Sequence, residues 1–200
     1  YLITDRRSLP EGRALLPTLE AALAGGGRAV QLREKDMSAA QLLPLAMELR
    51  QLTRRFGSRL LINDRIDVAL AADACGVHLG GQSLPAAEAR RILGPQKLIG
   101  VSTHSLPEIA RAARDGADFV TFGPVYPTAS KLPLGDPVGL EALKKALAVS
   151  PLPLFALGGI SPQRIDELIE TGCRRVACIG AIQNAPDPAG AVRRFSTALS

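Results

Sequence analysis

Short apolar runs, each followed by an amphipathic stretch of helical period, recur eight times along 200 residues. The runs begin at Tyr1, Arg28, Arg59, Gly76, Leu98, Asp118, Leu154 and Arg175. The helical stretches cover 13–24, 39–56, 65–72, 85–93, Leu106–Arg114, 140–148, 162–170 and 188–199. Alternating strands and helices make the strands parallel and put the helices outside them. Eight consecutive units have one natural closure, so the chain predicts an α/β fold, a single (β/α)8 TIM barrel over residues 1–200. A doubly wound open sheet is the competing arrangement, but it rarely needs so many units in a row. Turns at Gly25–Gly27, Asp73–Gly76, Asp115–Asp118 and Thr171–Cys173 end helices and lead into strands. Glycine at such positions supplies left-handed backbone at low cost.

Composition narrows the class. Apolar residues make up 46% of the chain, enough for a buried core. No apolar run approaches the ~20 residues of a membrane span. No signal-peptide pattern is visible, and the chain opens inside an apparent strand, Tyr1-Leu-Ile-Thr4, so upstream residues are expected. Cys75, Cys173 and Cys178 lie in apolar or small-residue settings without metal or redox spacing. They read as buried thiols of a reducing compartment, which points to the cytoplasm. The net charge of +5 is spread over helical segments, and aromatics are only 4%. Stacking platforms for bases are therefore scarce, and an anionic small molecule fits better than nucleic acid.

In a barrel, the residues just after each strand share one mouth. Here they are Arg33 and Lys35, Asn63 and Asp64, His78 with Gly80 to Ser83, and Ser102-Thr-His104. Further along come Thr128, Ser130 and Lys131, then Gly158-Gly159, then Gly180. The set is cationic, polar and glycine-rich with one prominent carboxylate, which reads as a phosphate site with a divalent ion. In Gln31-Leu-Arg-Glu-Lys35, alternation puts Gln31 and Arg33 on one strand face and Leu32 on the other. The planar fork of Arg33 beside the point charge of Lys35 suits a diphosphate. Gly158-Gly-Ile-Ser-Pro162 offers bare backbone and a helix start to a phosphate, although Ser161 and Pro162 also suit a purely structural turn. Asp64 offers Mg²⁺ a hard oxygen, or else caps the next helix or pairs with Arg65. His78 reads as core or mouth lining. Ser105 reads as an N-cap, with Glu108 closing a capping box, so the serines beside His104 need not be catalytic. The loop over 123–139 carries four prolines and reads as a flap bearing Thr128, Ser130 and Lys131, hinged near Gly123 and Gly135.

Taken together, these segments resemble the thiamine phosphate synthase family. The matching segments are Gln31–Lys35, Ile62-Asn-Asp-Arg65, Gly76-Val-His-Leu-Gly80, Gly100-Val-Ser102, Gly123-Pro-Val-Tyr-Pro-Thr128 with Ser130-Lys131, and Gly158-Gly-Ile160. They run in order through essentially the whole chain. The resemblance implies a (β/α)8 barrel that joins a hydroxymethylpyrimidine diphosphate to a thiazole phosphate, releasing diphosphate with Mg²⁺. It implies that Gln31, Arg33, Lys35, Asn63, Ser102 and Lys131 hold the pyrimidine diphosphate, with Arg33, Lys35 and Lys131 catalytic. It implies Asp64 as the Mg²⁺ ligand. It implies Thr128, Ser130, Gly159, Ile179 and Gly180 as the thiazole-phosphate site. The partners so implied are two phosphorylated small molecules, without nucleic acid or membrane; the sequence leaves a homodimer open. Two positions depart from the family pattern. Ser83 stands where a second metal carboxylate is usual, and Gly180 stands where serine is usual. Thiazole tautomerases share the fold, and Pro124 stands where some of them carry a histidine. A tautomerase, or a non-catalytic binder of a thiamine precursor, is the alternative.

Overall fold

The computed structural model of the chain describes residues 1–128 and 136–200. Its strands are β1 (Leu2–Ile3), β2 (Ala29–Leu32), β3 (Arg59–Asn63), β4 (Gly76–Leu79), β5 (Leu98–Thr103), β6 (Phe119–Phe122), β7 (Leu154–Leu157) and β8 (Val176–Ala177). They form one eight-stranded sheet in chain order, with every neighbouring pair parallel. Leu2 bridges Cys178, and the Ile3 N–H donates to the Cys178 carbonyl at 2.9 Å. That contact joins the last strand to the first and closes the ring, so the barrel expected from eight units is the fold observed.

The helices are α1 (Leu15–Ala24), α2 (Ala39–Arg55), α3 (Ile66–Ala71), α4 (Ala86–Leu93), α5 (Leu106–Arg114), α6 (Gly139–Val149), α7 (Ile165–Glu170), α8 (Gly180–Gln183) and α9 (Pro188–Ala198). Alternation splits each strand between two environments. Val30, Leu32, Leu60, Ile62, Val77, Leu79, Ile99 and Val120 face outward and join helix residues such as Leu19, Leu49, Ile109 and Leu143 in one core cluster. Intervening residues turn into the barrel. There Tyr1, His78, Phe119 and Phe155 pack edge-on or tilted, with ring centroids 5.5–5.8 Å apart. Gly100 makes room for them, since a Cβ there would sit 2.3 Å from Phe119 and 2.7 Å from His78.

Local signals explain the element ends. Ser38 caps α2 in a reciprocal capping box with Gln41. Ser105 caps α5 by accepting the Glu108 N–H. The Glu108 side chain, however, accepts the N–H of His104 at 2.7 Å, one residue outside the expected box. The turn at Asp73–Gly76 also differs from expectation. The left-handed residue there is Asp73 (φ 47°), held by Arg54 and Lys97, while Gly76 lies in β4. Gly76 is needed for space, because a Cβ would overlap the Leu98 carbonyl. The stretch 162–170 opens as a 3-10 turn, Pro162–Arg164, and only then becomes α7. The sequence reading missed α8, because four residues are too few to show a helical period. Among the described residues, no helix is long and apolar enough to cross a membrane.

Candidate active site

The strand order fixes the layout of the mouth. Arg33, Asp64, Ser83, Thr128, Gly159 and Gly180 follow β2, β3, β4, β6, β7 and β8 in turn, while Asn63 and Ser102, expected just after strands, lie within the last two residues of β3 and β5. All the strands are parallel, so these residues share the C-terminal end of the barrel. Ser130 and Lys131, with the rest of 129–135 in the loop expected to act as a flap, lie outside the described residues.

The first arc of the mouth is cationic. Thr4 Oγ1 accepts the Arg33 N–H at 2.9 Å and fixes the end of β2. The side chains of Arg33 and Lys35 make no hydrogen bond or ion pair with any described residue. Arg33 is half-buried and Lys35 exposed. Beside them, Asp64 sits in left-handed backbone at φ 59° and is exposed. Its two oxygens accept from Asn63 Nδ2, at 2.7 Å, and from the Ser83 hydroxyl. Asp64 therefore neither caps α3 nor pairs with Arg65, whose guanidinium goes to Asp67 instead. Carboxylate and hydroxyl are both hard oxygen donors of the kind Mg²⁺ takes.

Below this arc lies a polar floor. Gln31 is 1% exposed, and its Nε2 makes no hydrogen bond of good geometry among the described residues, with the Tyr1 hydroxyl as its neighbouring polar group. His78 is 3% exposed, and its Nε2 shares a hydrogen bond with Ser102 Oγ at 3.0 Å. Its Nδ1 shares another with the Tyr1 hydroxyl at 3.2 Å. His78 is thus a wall residue that anchors Ser102. A buried amide donor and a held hydroxyl suit the polar edge of a heteroaromatic ring.

The opposite arc is a cavity of about 350 Å³ between the ends of β6, β7 and β8. It brings together Thr128, Gly158, Gly159, Ile179 and Gly180, all of them expected above at a phosphate site and all but Gly158 in the thiazole-phosphate set. Gly158 and Gly159 both adopt positive φ, 99° and 65°. A Cβ on the first would meet Pro124 Cα at 2.5 Å, and one on the second would meet Tyr126 Cβ at 2.7 Å. The pair is braced from behind. Tyr126 N–H donates to the Gly158 carbonyl at 3.1 Å, and Arg164 Nη1 donates to the Gly159 carbonyl at 2.8 Å. Arg164 also lies over the Tyr126 ring, 4.4 Å from its centroid. Burial and the hydrogen bond to Glu167 push the Tyr126 hydroxyl up to about 12, which keeps it a neutral donor. Burial likewise pushes the Cys178 thiol in the cavity wall up to about 12, so it is no nucleophile at neutral pH.

Asp5, Ser8 and Asn184 also line this cavity, and the sequence reading missed them. A usable signal existed for Asp5, which lies two residues past the end of β1, on the same side of the barrel as Arg33 past the end of β2. Asn184 sits just beyond α8, the helix too short to be read.

A model of the thiamine monophosphate synthase family matches residues 1–182. The chain belongs to the thiamine-phosphate synthase family. A protein of Geobacter sulfurreducens, provisionally named a thiamine-phosphate synthase, is 56% identical over 188 residues, covering 94% of this chain and 88% of its own. The thiamine-phosphate synthase of Roseiflexus castenholzii is 44% identical over 193 residues, covering 96% and 84%. A solved thiamine phosphate pyrophosphorylase from Pyrococcus furiosus superposes with a TM-score of 0.88 at 36% identity, covering 100% of this chain and 94% of that one.

Proposed function

We propose that this chain couples hydroxymethylpyrimidine diphosphate to thiazole phosphate and releases diphosphate, a step of thiamine biosynthesis. The observation that carries the reading is the pairing of two unlike anion sites across one mouth. One arc offers the cations Arg33 and Lys35, unpaired among the described residues, next to the β3 end that carries Asp64; the other offers glycine backbone around a cavity. A reaction of two phosphorylated partners needs both.

The chemistry follows from the bonds involved. The bond from the pyrimidine methylene carbon to the diphosphate oxygen breaks, and its electron pair leaves with diphosphate. The thiazole nitrogen lone pair then forms the new carbon–nitrogen bond, leaving a thiazolium cation. No proton moves between the partners and no protein nucleophile is needed. Catalysis therefore consists of neutralising the leaving group and aligning the nitrogen. In this reading Arg33, Lys35 and Lys131 take the diphosphate charge. Gln31, Asn63 and Ser102 hold the pyrimidine half. Thr128, Ser130, Gly159, Ile179 and Gly180 hold the thiazole phosphate.

Mg²⁺ belongs to the same reading. Among the described residues, no group of three or more His, Cys, Asp or Glu side chains could hold a metal ion. Asp64 with the Ser83 hydroxyl would hold Mg²⁺ only together with diphosphate oxygens. The chemistry the ion supplies when bound is charge neutralisation on the leaving diphosphate.

The deciding experiment combines purified protein, both phosphorylated substrates and Mg²⁺, and detects thiamine phosphate. Product formation that needs both substrates supports the synthase. Isomerisation of the thiazole phosphate without coupling supports the tautomerase reading. Binding of either substrate without turnover supports the non-catalytic one.

A further inference from the structure

Glu34 stands between the cations Arg33 and Lys35 in sequence, yet its carboxylate goes elsewhere. Alternation turns it to the opposite face from Arg33. Its side chain is 1% exposed there. Both its oxygens accept the Arg6 N–H at 3.1 Å, and Arg6 Nη1 donates to Oε2 at 3.0 Å. The same guanidinium also grips Asp36, with Nη1 to Oδ1 and Nη2 to Oδ2 both at 2.6 Å. One arginine from the loop after β1 thus engages both carboxylates that flank Lys35.

The charge arithmetic gives this contact a purpose. Arg33, Glu34, Lys35 and Asp36 alternate in sign and sum to zero. Without an outside partner, each carboxylate is a counter-ion adjacent in sequence to a cation. It would then compete with an anionic ligand for the same donors. Arg6 adds a charge, so the group sums to +1, and it draws both negative charges to itself. In keeping with that division, the side chains of Arg33 and Lys35 pair with no described residue, while those of Glu34 and Asp36 both pair with Arg6.

We propose that Arg6 is a positioning residue of the diphosphate clamp: it holds the Glu34 and Asp36 carboxylates away from Arg33 and Lys35 and so keeps both cations available to an anion. This rests on the reading of Arg33 and Lys35 as the diphosphate clamp.

The test separates positioning from support of the fold. Inorganic diphosphate with Mg²⁺ is titrated calorimetrically, and KM is measured for each substrate. The variants are Arg6→Ala, Arg33→Ala, and Arg6→Ala combined with Glu34→Gln and Asp36→Asn. Arg6→Ala is expected to weaken diphosphate binding and raise the pyrimidine diphosphate KM about tenfold, with the thiazole phosphate KM within about twofold. The combined variant, which has no carboxylates left to compete, is expected to return diphosphate affinity to within about threefold of the parent. A merely structural arginine would show no such rescue, because the combined variant removes still more contacts. The proposal is overturned if folded Arg6→Ala binds diphosphate like the parent, or if a folded combined variant stays as weak as Arg6→Ala. Arg33→Ala separates the two layers. Lost affinity there with a silent Arg6→Ala sinks only the role of Arg6, whereas unchanged affinity in Arg33→Ala sinks the clamp itself. Should Arg6→Ala fail to fold, Arg6→Gln removes the same charge while keeping a donor for Glu34, and the same outcomes decide.

Discussion

The Ser83 hydroxyl donates to one carboxylate oxygen of Asp64 and accepts the Gly80 N–H at 2.6 Å. The serine thus ties the end of β3 to the loop after β4 at a point where a second carboxylate would face the first. Ser83→Asp is expected to bring two like charges together, which costs stability without metal and favours a divalent cation. Mg²⁺ titrated in the presence of diphosphate should bind roughly tenfold tighter to the variant than to the parent. Ser83→Ala should leave thermal stability nearly unchanged, since Asp64 is exposed and water replaces the lost donor. Equal Mg²⁺ affinity in parent and Ser83→Asp would separate Asp64 from the metal.

Arg33→Ala should remove a charge-assisted contact to diphosphate worth about 1.5–3 kcal/mol, or roughly one to two orders of magnitude in binding or rate. The fold should survive, because the Arg33 side chain pairs with no described residue. Steady-state kinetics beside a thermal melt checks both halves. Unfolding with unchanged activity per folded molecule would make Arg33 a structural residue.

Two of the cavity glycines, Gly159 and Gly180, should respond in opposite ways. Gly159→Ala forces a Cβ against Tyr126 Cβ and the Pro127 carbonyl, at 2.7 and 2.9 Å, from backbone at φ 65°. Such strain costs about 1–3 kcal/mol and displaces the backbone that would face the phosphate. At Gly180, the nearest atom to an added Cβ is Asn184 Nδ2 at 3.3 Å, the end of a side chain that can yield. Gly180→Ser should therefore fold like the parent and add a hydroxyl to the cavity. A lower KM for thiazole phosphate is expected, by about tenfold at most for one added hydrogen bond. A KM raised by Gly180→Ser would place the phosphate elsewhere.

The barrel was legible because its signal is repeated. Each strand–helix unit is weak alone, but eight of them leave one closure. Among the described residues, the places of Arg33, Asp64, Ser83, Gly159 and Gly180 at one barrel end were legible for the same reason: once the strands are parallel, position after a strand fixes position in space. What stayed hidden needed information the chain does not carry locally. Asp73 rather than Gly76 takes the left-handed turn, because Arg54 and Lys97 hold its carboxylate and Gly76 must clear the Leu98 carbonyl. Nothing near Asp73 in sequence announces those partners. Similarly, Glu34 looks like one charge in a mixed run until Arg6, 28 residues earlier, comes to lie against it. The short α8 escaped because a single turn has no period to detect.

The Arg6–Asp36 pair makes a prediction about acid. The hydrogen bonds from Arg6 hold the Asp36 carboxyl down at about 2, and Asp36 in turn raises the guanidinium further above its ordinary value. A carboxyl that titrates lower in the folded chain than in the unfolded one binds fewer protons when folded. Its stabilising effect is therefore complete above the ordinary carboxyl pKa of about 4, and it fades as the pH falls through about 2. The pair is more than one third exposed on both sides, so screening by salt should shrink the effect. Carbon-13 titration of the Asp36 carboxyl should find a midpoint near 2 in the parent, moving to about 4 in Arg6→Ala. Glu34 offers the contrast, since its side chain is buried and its contact with Arg6 should resist salt more. A midpoint for Asp36 near 4 in the parent would mean that Arg6 does not hold it in solution, and the charge separation argued for the clamp would lose its outer half.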